Sequence, residues 1–179
     1  MKSWVKRGIT GAFVACIATG ALAQQVSENQ VEAHTDWKVY AEPPASPSEC
    51  WGVTVPKKTV NTDSSGRIKA VSRGEILLFV TYRPKSGVKG EIAFTGGYPF
   101  AKDSFVEMEV AGAKYQLFTD GEWAWPASAG DDAKILAAMK RGSDATLTAR
   151  SARGTITKDT FSLLGFTAAS DSAEKYCGG

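Results

Sequence analysis

Bond-making chemistry has few places to sit in this chain of 179 residues. The only histidine is His34. A Ser-His-Asp or Cys-His system needs an imidazole to take the nucleophile's proton. Any such system would therefore run through His34, in a polar stretch with little periodicity. Carboxylates offer another route: Asp103, Glu107 and Glu109 lie close together, as do Asp120 and Glu122. A glycosidase needs two carboxyl groups at a set separation across a cleft, so a hydrolase of envelope glycans or peptides using surface carboxylates near Asp103 and Asp120 is the alternative enzymatic reading. Glu107 and Glu109 alternate with apolar residues, which suits an ordinary charged outer face. "SARGTITKD" gathers Arg150, Arg153, Lys158 and Asp159. These could bind an anion, but the mixed charge fits better a turn at Gly154 whose Arg153 pairs with a carboxylate such as Asp159. There is no G-x-G-x-x-G and no Gly-Lys dipeptide to cradle phosphate. With one histidine and no Cys-x-x-Cys, a structural zinc site has too few ligands. The expectation is a protein without cofactor, metal or catalytic residues.

The aromatic residues carry more information. "FTGGYPFAKDSF" (94–105) sets Tyr98 and Phe100 on either side of Pro99. Trp123 and Trp125 are two apart, hence on one face of a strand. Trp51 sits beside Cys50. An exposed platform of such rings would suit a glycan or protein partner, and Tyr98, Phe100, Trp123 and Trp125 are the candidate contacts. The competing reading places at least three of these rings between two sheets. Gly96, Gly97 and Pro99 read as a turn into the next hairpin, with Tyr98 and Phe100 anchoring it in the core.

The elements that must position these residues follow from pattern. "MKSWVKRGITGAFVACIATGALAQQ" has a basic start, about a dozen apolar residues from Gly8, and Ala21-Leu22-Ala23 before Gln24. This reads as a secretory signal peptide over 1–23, too short to span a bilayer. A lipoprotein signal using Cys16 is the alternative, but "FVAC" matches that box poorly and apolar chain follows it. Cleavage after Ala23 removes Lys2, Lys6 and Arg7 and no acidic residue. It leaves 18 of 21 basic side chains against 19 acidic ones, net −1. No basic footprint for nucleic acid remains, and no membrane-spanning segment is expected in the mature chain. Of three cysteines, Cys50 and Cys177 survive cleavage. An even count in an exported chain predicts a Cys50–Cys177 disulfide.

Residues 24–35 read as a flexible lead-in, and 36–179 as a single domain. "DWKVYA" alternates, with Trp37, Val39 and Ala41 on one face and Lys38 and Tyr40 on the other. "EPPASPSE" is a loop, "CWGVTVP" alternates again, and "KKTVNTDSSG" (57–66) is polar and turn-rich. "EILLFVTYRP" (75–84) reads as a central strand buried on both sides. "SFVEMEVAGAKYQLF" (104–118) is a hairpin turning at Ala111-Gly112, and a second tight turn falls at Asp120-Gly121. A helix at about 131–141 is signalled by Asp131 and Asp132 at one end and Lys140 and Arg141 at the other. "DATLTARS" and "GTITKDTFSLLGF" (154–166) are two more strands, and Asp171–Tyr176 a possible short helix carrying Cys177. Eight to ten short strands and one surface helix specify an all-β, Ig-like antiparallel β-sandwich, with a closed barrel second.

Taken together, "GGYPFAKDSFVEMEVAGAKYQLF" (96–118), "GEWAW" (121–125), "DDAKILAAMKRG" (131–142), "RSARGTITKDTFSLLGFTAA" (150–169) and the late cysteine resemble the invasion-associated locus B family of exported bacterial proteins. These segments stand in order across most of the chain from Trp37 to Cys177. Many members carry a cysteine soon after the early tryptophan; "DWKVYAEPP" has none. The resemblance implies a β-sandwich located in the periplasm, at the outer membrane or outside the cell, linked in some pathogens to host-cell entry. It supplies no catalytic residues. The resulting expectation is a non-enzymatic envelope protein that binds a protein or glycan partner of unknown identity, with its oligomeric state open.

Overall fold

In the computed structural model the described residues are 28–178. The expected signal peptide, Cys16 and residues 24–27 of the lead-in lie outside them. In chain order the strands are β1 (Gln30–His34), β2 (Trp37–Glu42), β3 (Glu49–Thr54), β4 (Lys58–Thr62), β5 (Leu77–Arg83), β6 (Val88–Thr95), β7 (Phe105–Val110), β8 (Ala113–Asp120) and β9 (Trp123–Trp125). Helix α1 (Ala129–Met139) comes next, then β10 (Asp144–Arg150), β11 (Ile156–Ser162) and helix α2 (Phe166–Gly178).

All strand pairs are antiparallel, in one ladder ordered β1-β2-β3-β5-β6-β9-β8-β7-β10-β11-β4. Strands β3 and β4 are joined by residues 55–57 alone, yet stand third and last in that order. The sheet must therefore curl until its ends approach. The indole of Trp37 on β2 accordingly donates to the carbonyl of Ser162 on β11 at 3.0 Å. The ladder ends at β1 and β4 and is not a closed barrel. Its two halves form the two layers, with Phe94 of β6 meeting Phe161 of β11 edge-on at 6.1 Å.

The hairpin turn at Ala111-Gly112 has φ of 49° and 81°, the left-handed pair that matches strand twist in a two-residue connection. Helix α1 starts two residues before the expected position because Ser128 caps it: the Ser128 hydroxyl accepts from the Asp131 amide. Asp132 does more than favour the helix dipole. Its carboxylate accepts the amide of Ile92 at 2.8 Å, satisfying a donor of β6 where that strand lacks a ladder neighbour. Burial pushes the Asp132 carboxyl above its usual range.

Five expectations need correction. Residues 30–34 are not a flexible lead-in but strand β1, held by its ladder to β2. The polar segment 57–66 contains β4, paired along its length with β11. The strand expected over 154–166 stops at Ser162, and the short helix expected at 171–176 begins at Phe166. The second helix is thus 13 residues long. In α2 the buried residues Phe166, Ala169, Ser170 and Ala173 stand at helical spacing. Finally, β5 is fully covered on one side only: Leu78, Val80 and Tyr82 are buried there, whereas on the other side Leu77, Phe79 and Arg83 are half-buried and Thr81 alone is covered.

Both helices lie on the same side of β2-β3-β5-β6. Phe166 packs edge-on against Trp37 at 4.8 Å, and the Tyr82 hydroxyl meets that of Ser170 at 2.7 Å. Leu136 of α1 fills the space above Gly90. The Cys50–Cys177 disulfide, spanning 127 residues, bonds α2 to β3.

Candidate binding face

The opposite side of β2-β3-β5-β6-β9 carries no helix among the described residues. Strand alternation sends every second side chain there. Register then groups them: Tyr40, Trp51, Thr81 and Glu91 form one cross-strand row, and Val53, Phe79 and Ala93 the next. Trp123 stands opposite Thr95, and Trp125 continues through Phe118 to Phe105. Ring contacts follow. Tyr40 stacks on Trp51 at 5.5 Å, Phe79 meets Trp123 at 5.6 Å, and Trp123 stacks on Trp125 at 6.1 Å. Trp123 is 37% exposed, Phe105 47% and Phe118 55%, so water reaches the whole band. Within it lies a shallow trough of about 320 Å³, with Thr81 and Ala93 as small floor residues between Trp51, Phe79, Trp123 and Trp125.

One end of the trough is ionic. Arg83 donates to Glu49 at 2.7 Å and to Glu91 at 2.8 Å. The Glu49 hydrogen bond and the Glu91 charge hold its guanidinium above the usual value. The indole nitrogens behave differently on the two sides of the sheet. Trp37 donates to Ser162; among the described residues, Trp51, Trp123 and Trp125 donate to no protein acceptor.

The four aromatic residues expected to contact a partner are therefore split. Trp123 and Trp125 share the open face, as their spacing predicts. Phe100 is buried against Phe94 and Tyr98, so a partner at the surface does not reach its ring. Tyr98 is half-buried under the Arg73 guanidinium, which lies 5.0 Å from its ring centre, and its hydroxyl bonds Thr157. Burial raises its pKa. The double glycine preceding it has a specific cause: the Gly74 amide donates to the Gly97 carbonyl at 2.8 Å. A Cβ on Gly97, whose φ is 70°, would lie 2.6 Å from Gly74 backbone.

The carboxylate expected to pair with Arg153 belongs elsewhere. Asp159 is fully buried and takes a two-pronged bond from Arg73 at 2.8 and 2.6 Å. Burial pushes its carboxyl up and Arg73 pulls it back. Arg73 also donates to the Gly96 carbonyl at 2.9 Å, so this pair clamps the 94–100 bend onto β11. Arg153 is exposed.

His34 lies in a strand, within reach of an acid and a hydroxyl. Its Nε2 is 2.6 Å from Glu32 Oε2 and 3.0 Å from Ser172 Oγ, and Ser172 donates to the same Glu32 oxygen at 2.7 Å. A nucleophile relay places serine and acid on opposite ring nitrogens. Here both meet one nitrogen, which ties β1 to α2 and sets up no relay. Asp103 and Asp120 line separate depressions, Asp103 with Phe105, Glu107 and Arg150, and Asp120 with Phe118 and Trp125. Glu107 is paired with Lys114 at 2.9 Å.

Tyr40, Phe79, Phe105, Phe118 and the Glu49–Arg83–Glu91 cluster are the part of this face that sequence reasoning missed. Alternation places each on the outward side of its own strand. Only the order of strands in the sheet brings them together.

Known proteins bear on this architecture. The family model described as "Invasion associated locus B (IalB) protein" matches residues 37–174. Among solved structures the chain resembles invasion associated protein B from Bartonella henselae, with a TM-score of 0.53 and 13% identity, covering 83% of this chain and 98% of that one. That likeness is one of fold. No curated protein sequence matches the chain.

Proposed function

The chain belongs to the invasion-associated locus B family, and from that premise we propose that it is an exported envelope protein whose open aromatic face holds a partner and performs no bond-breaking. The observation that carries this reading is the run of half-exposed rings from Tyr40 to Phe105 on a sheet face that no helix covers among the described residues. Large, rigid, amphipathic rings give contact area at low entropic cost, and contiguous exposed apolar surface marks interaction sites. Export rests on the basic, apolar and A-x-A pattern of residues 1–23. It is supported by the Cys50–Cys177 bond, which is at home in an oxidising compartment. The lack of catalysis rests on His34, whose neighbours crowd one nitrogen, and on Asp103 and Asp120, which line different depressions.

Co-sedimentation with isolated cell envelopes tests the reading. The oxidised mature protein is expected to pellet with them, and the double variant Trp123→Ala/Trp125→Ala to stay in solution, while Tyr98→Phe behaves as wild type. Equal pelleting of the double variant would refute it. N-terminal sequencing of the exported protein checks cleavage after Ala23.

A further inference from the structure

We propose that the aromatic face is a stacking strip for a linear, uncharged glycan chain. This inference rests on the partner-binding reading above and names the partner's class. Three observations choose it over an apolar protein surface or a small charged ligand.

The first is the set of open donors. The indole N–H groups of Trp51, Trp123 and Trp125 have no protein acceptor among the described residues. An occupant that covers these rings must bring acceptors to their edges or leave donors desolvated and unpaired. An aliphatic protein patch brings none.

The second is the ionic end of the trough. Glu49 and Glu91 each commit Oε1 to Arg83, and neither Oε2 has a protein donor among the described residues. Covering this row with apolar surface would desolvate three charges. Its net charge of −1 disfavours anions, and Arg83 already occupies the place a cation would take. Neutral hydroxyls, which donate to the spare carboxylate oxygens, match it.

The third is shape. The band runs from β2 to β7 across β3, β5, β6, β9 and β8. With strands about 4.8 Å apart, that is roughly 29 Å. The trough inside it is shallow and floored by Thr81 and Ala93. A compact ligand needs an enclosing pocket; an extended chain needs a strip. A β-linked sugar chain presents apolar C–H faces to the rings and hydroxyls at its rim, which accept from indole N–H groups and donate to carboxylates.

The test uses the oxidised mature protein and β-1,4-linked N-acetylglucosamine oligomers, from dimer to hexamer, followed by tryptophan fluorescence and calorimetry. Binding is expected to be saturable, to tighten with chain length and to change little with salt. Trp51→Ala and Trp123→Ala are each expected to weaken it roughly tenfold, the scale of one stacking contact. Absence of saturable binding overturns the glycan inference, as does binding that ignores both substitutions. So does a concentration-dependent dimer that Trp123→Ala dissolves, since the face then joins two copies of the chain. If oligomers fail while envelopes still pellet the wild type but not the Trp123→Ala/Trp125→Ala variant, the glycan inference falls and the partner-binding reading stands. If neither binds, both fall.

Discussion

The two faces of β2-β3-β5-β6-β9 are built from alternate residues of the same strands and treat their aromatic side chains in opposite ways. On the inner face Trp37, Tyr82 and Phe94 are almost wholly buried, and the polar atoms of the first two are paired, Trp37 with Ser162 and Tyr82 with Ser170. On the outer face Trp51, Trp123 and Trp125 are partly exposed and their N–H groups reach no protein acceptor among the described residues. A protein that needed these rings only for stability would bury them and satisfy them, as it does on the inner side. The contrast separates a face that holds the fold from one held ready for something else.

Removing what fastens the inner face should have the largest effect. Reducing Cys50–Cys177 frees α2 from β3 and releases a constraint across 127 residues, worth about 4–5 kcal/mol in the chain-entropy account. Urea denaturation with and without dithiothreitol measures it; an unchanged midpoint would mean that α2 needs no tether. Trp37→Ala should cost about 3–5 kcal/mol through the cavity left beneath Phe166. Tyr82→Phe is a finer probe: loss of the bond to Ser170 should cost about 1 kcal/mol.

Acidification acts at the margin of the inner face. The hydrogen bond from Ser172, then that from His34, holds the Glu32 carboxyl below its ordinary range. A depressed folded pKa means that its contribution is complete above the unfolded value of about 4.3, and is lost as pH falls through the folded one. Amide exchange of β1 should therefore quicken below pH 4 relative to β3, and Glu32→Gln should abolish the difference. The smallest effect on stability belongs to the outer face. Trp123→Ala should lower the unfolding free energy by no more than about 0.5 kcal/mol while weakening binding at this face roughly tenfold. A loss comparable with that of Trp37→Ala would erase the distinction between the faces.

Much of this contrast was legible in single strands. The alternation of "DWKVYA" separates Trp37 from Tyr40, and the spacing of Trp123 and Trp125 puts them on one side. The disulfide followed from cysteine count and compartment. Other features depended on contacts far apart in sequence. Arg73 and Asp159 are 86 residues apart, and nothing local in "VSRGE" marks Arg73 as the partner of a buried acid. Strand β1 shows little apolar alternation because its backbone ladder and the Glu32–Ser172 contact hold it. Helix α2 hid its stripe in small residues, Ala169, Ser170 and Ala173, which can lie close against β3, where Gly52 leaves room for Ala169. The extent of the outer band was hidden because β5, not β4, follows β3 in the sheet. That order alone sets Trp51 beside the strand that carries Phe79 and Arg83.

The indole N–H signals in a ¹⁵N–¹H spectrum of the mature chain put the contrast to its most direct test. Trp37 should exchange slowly and stay fixed when β-1,4-linked N-acetylglucosamine hexamer is added, while Trp51, Trp123 and Trp125 should exchange fast and shift. Equal protection of all four indoles, or movement of Trp37 alone, would contradict it.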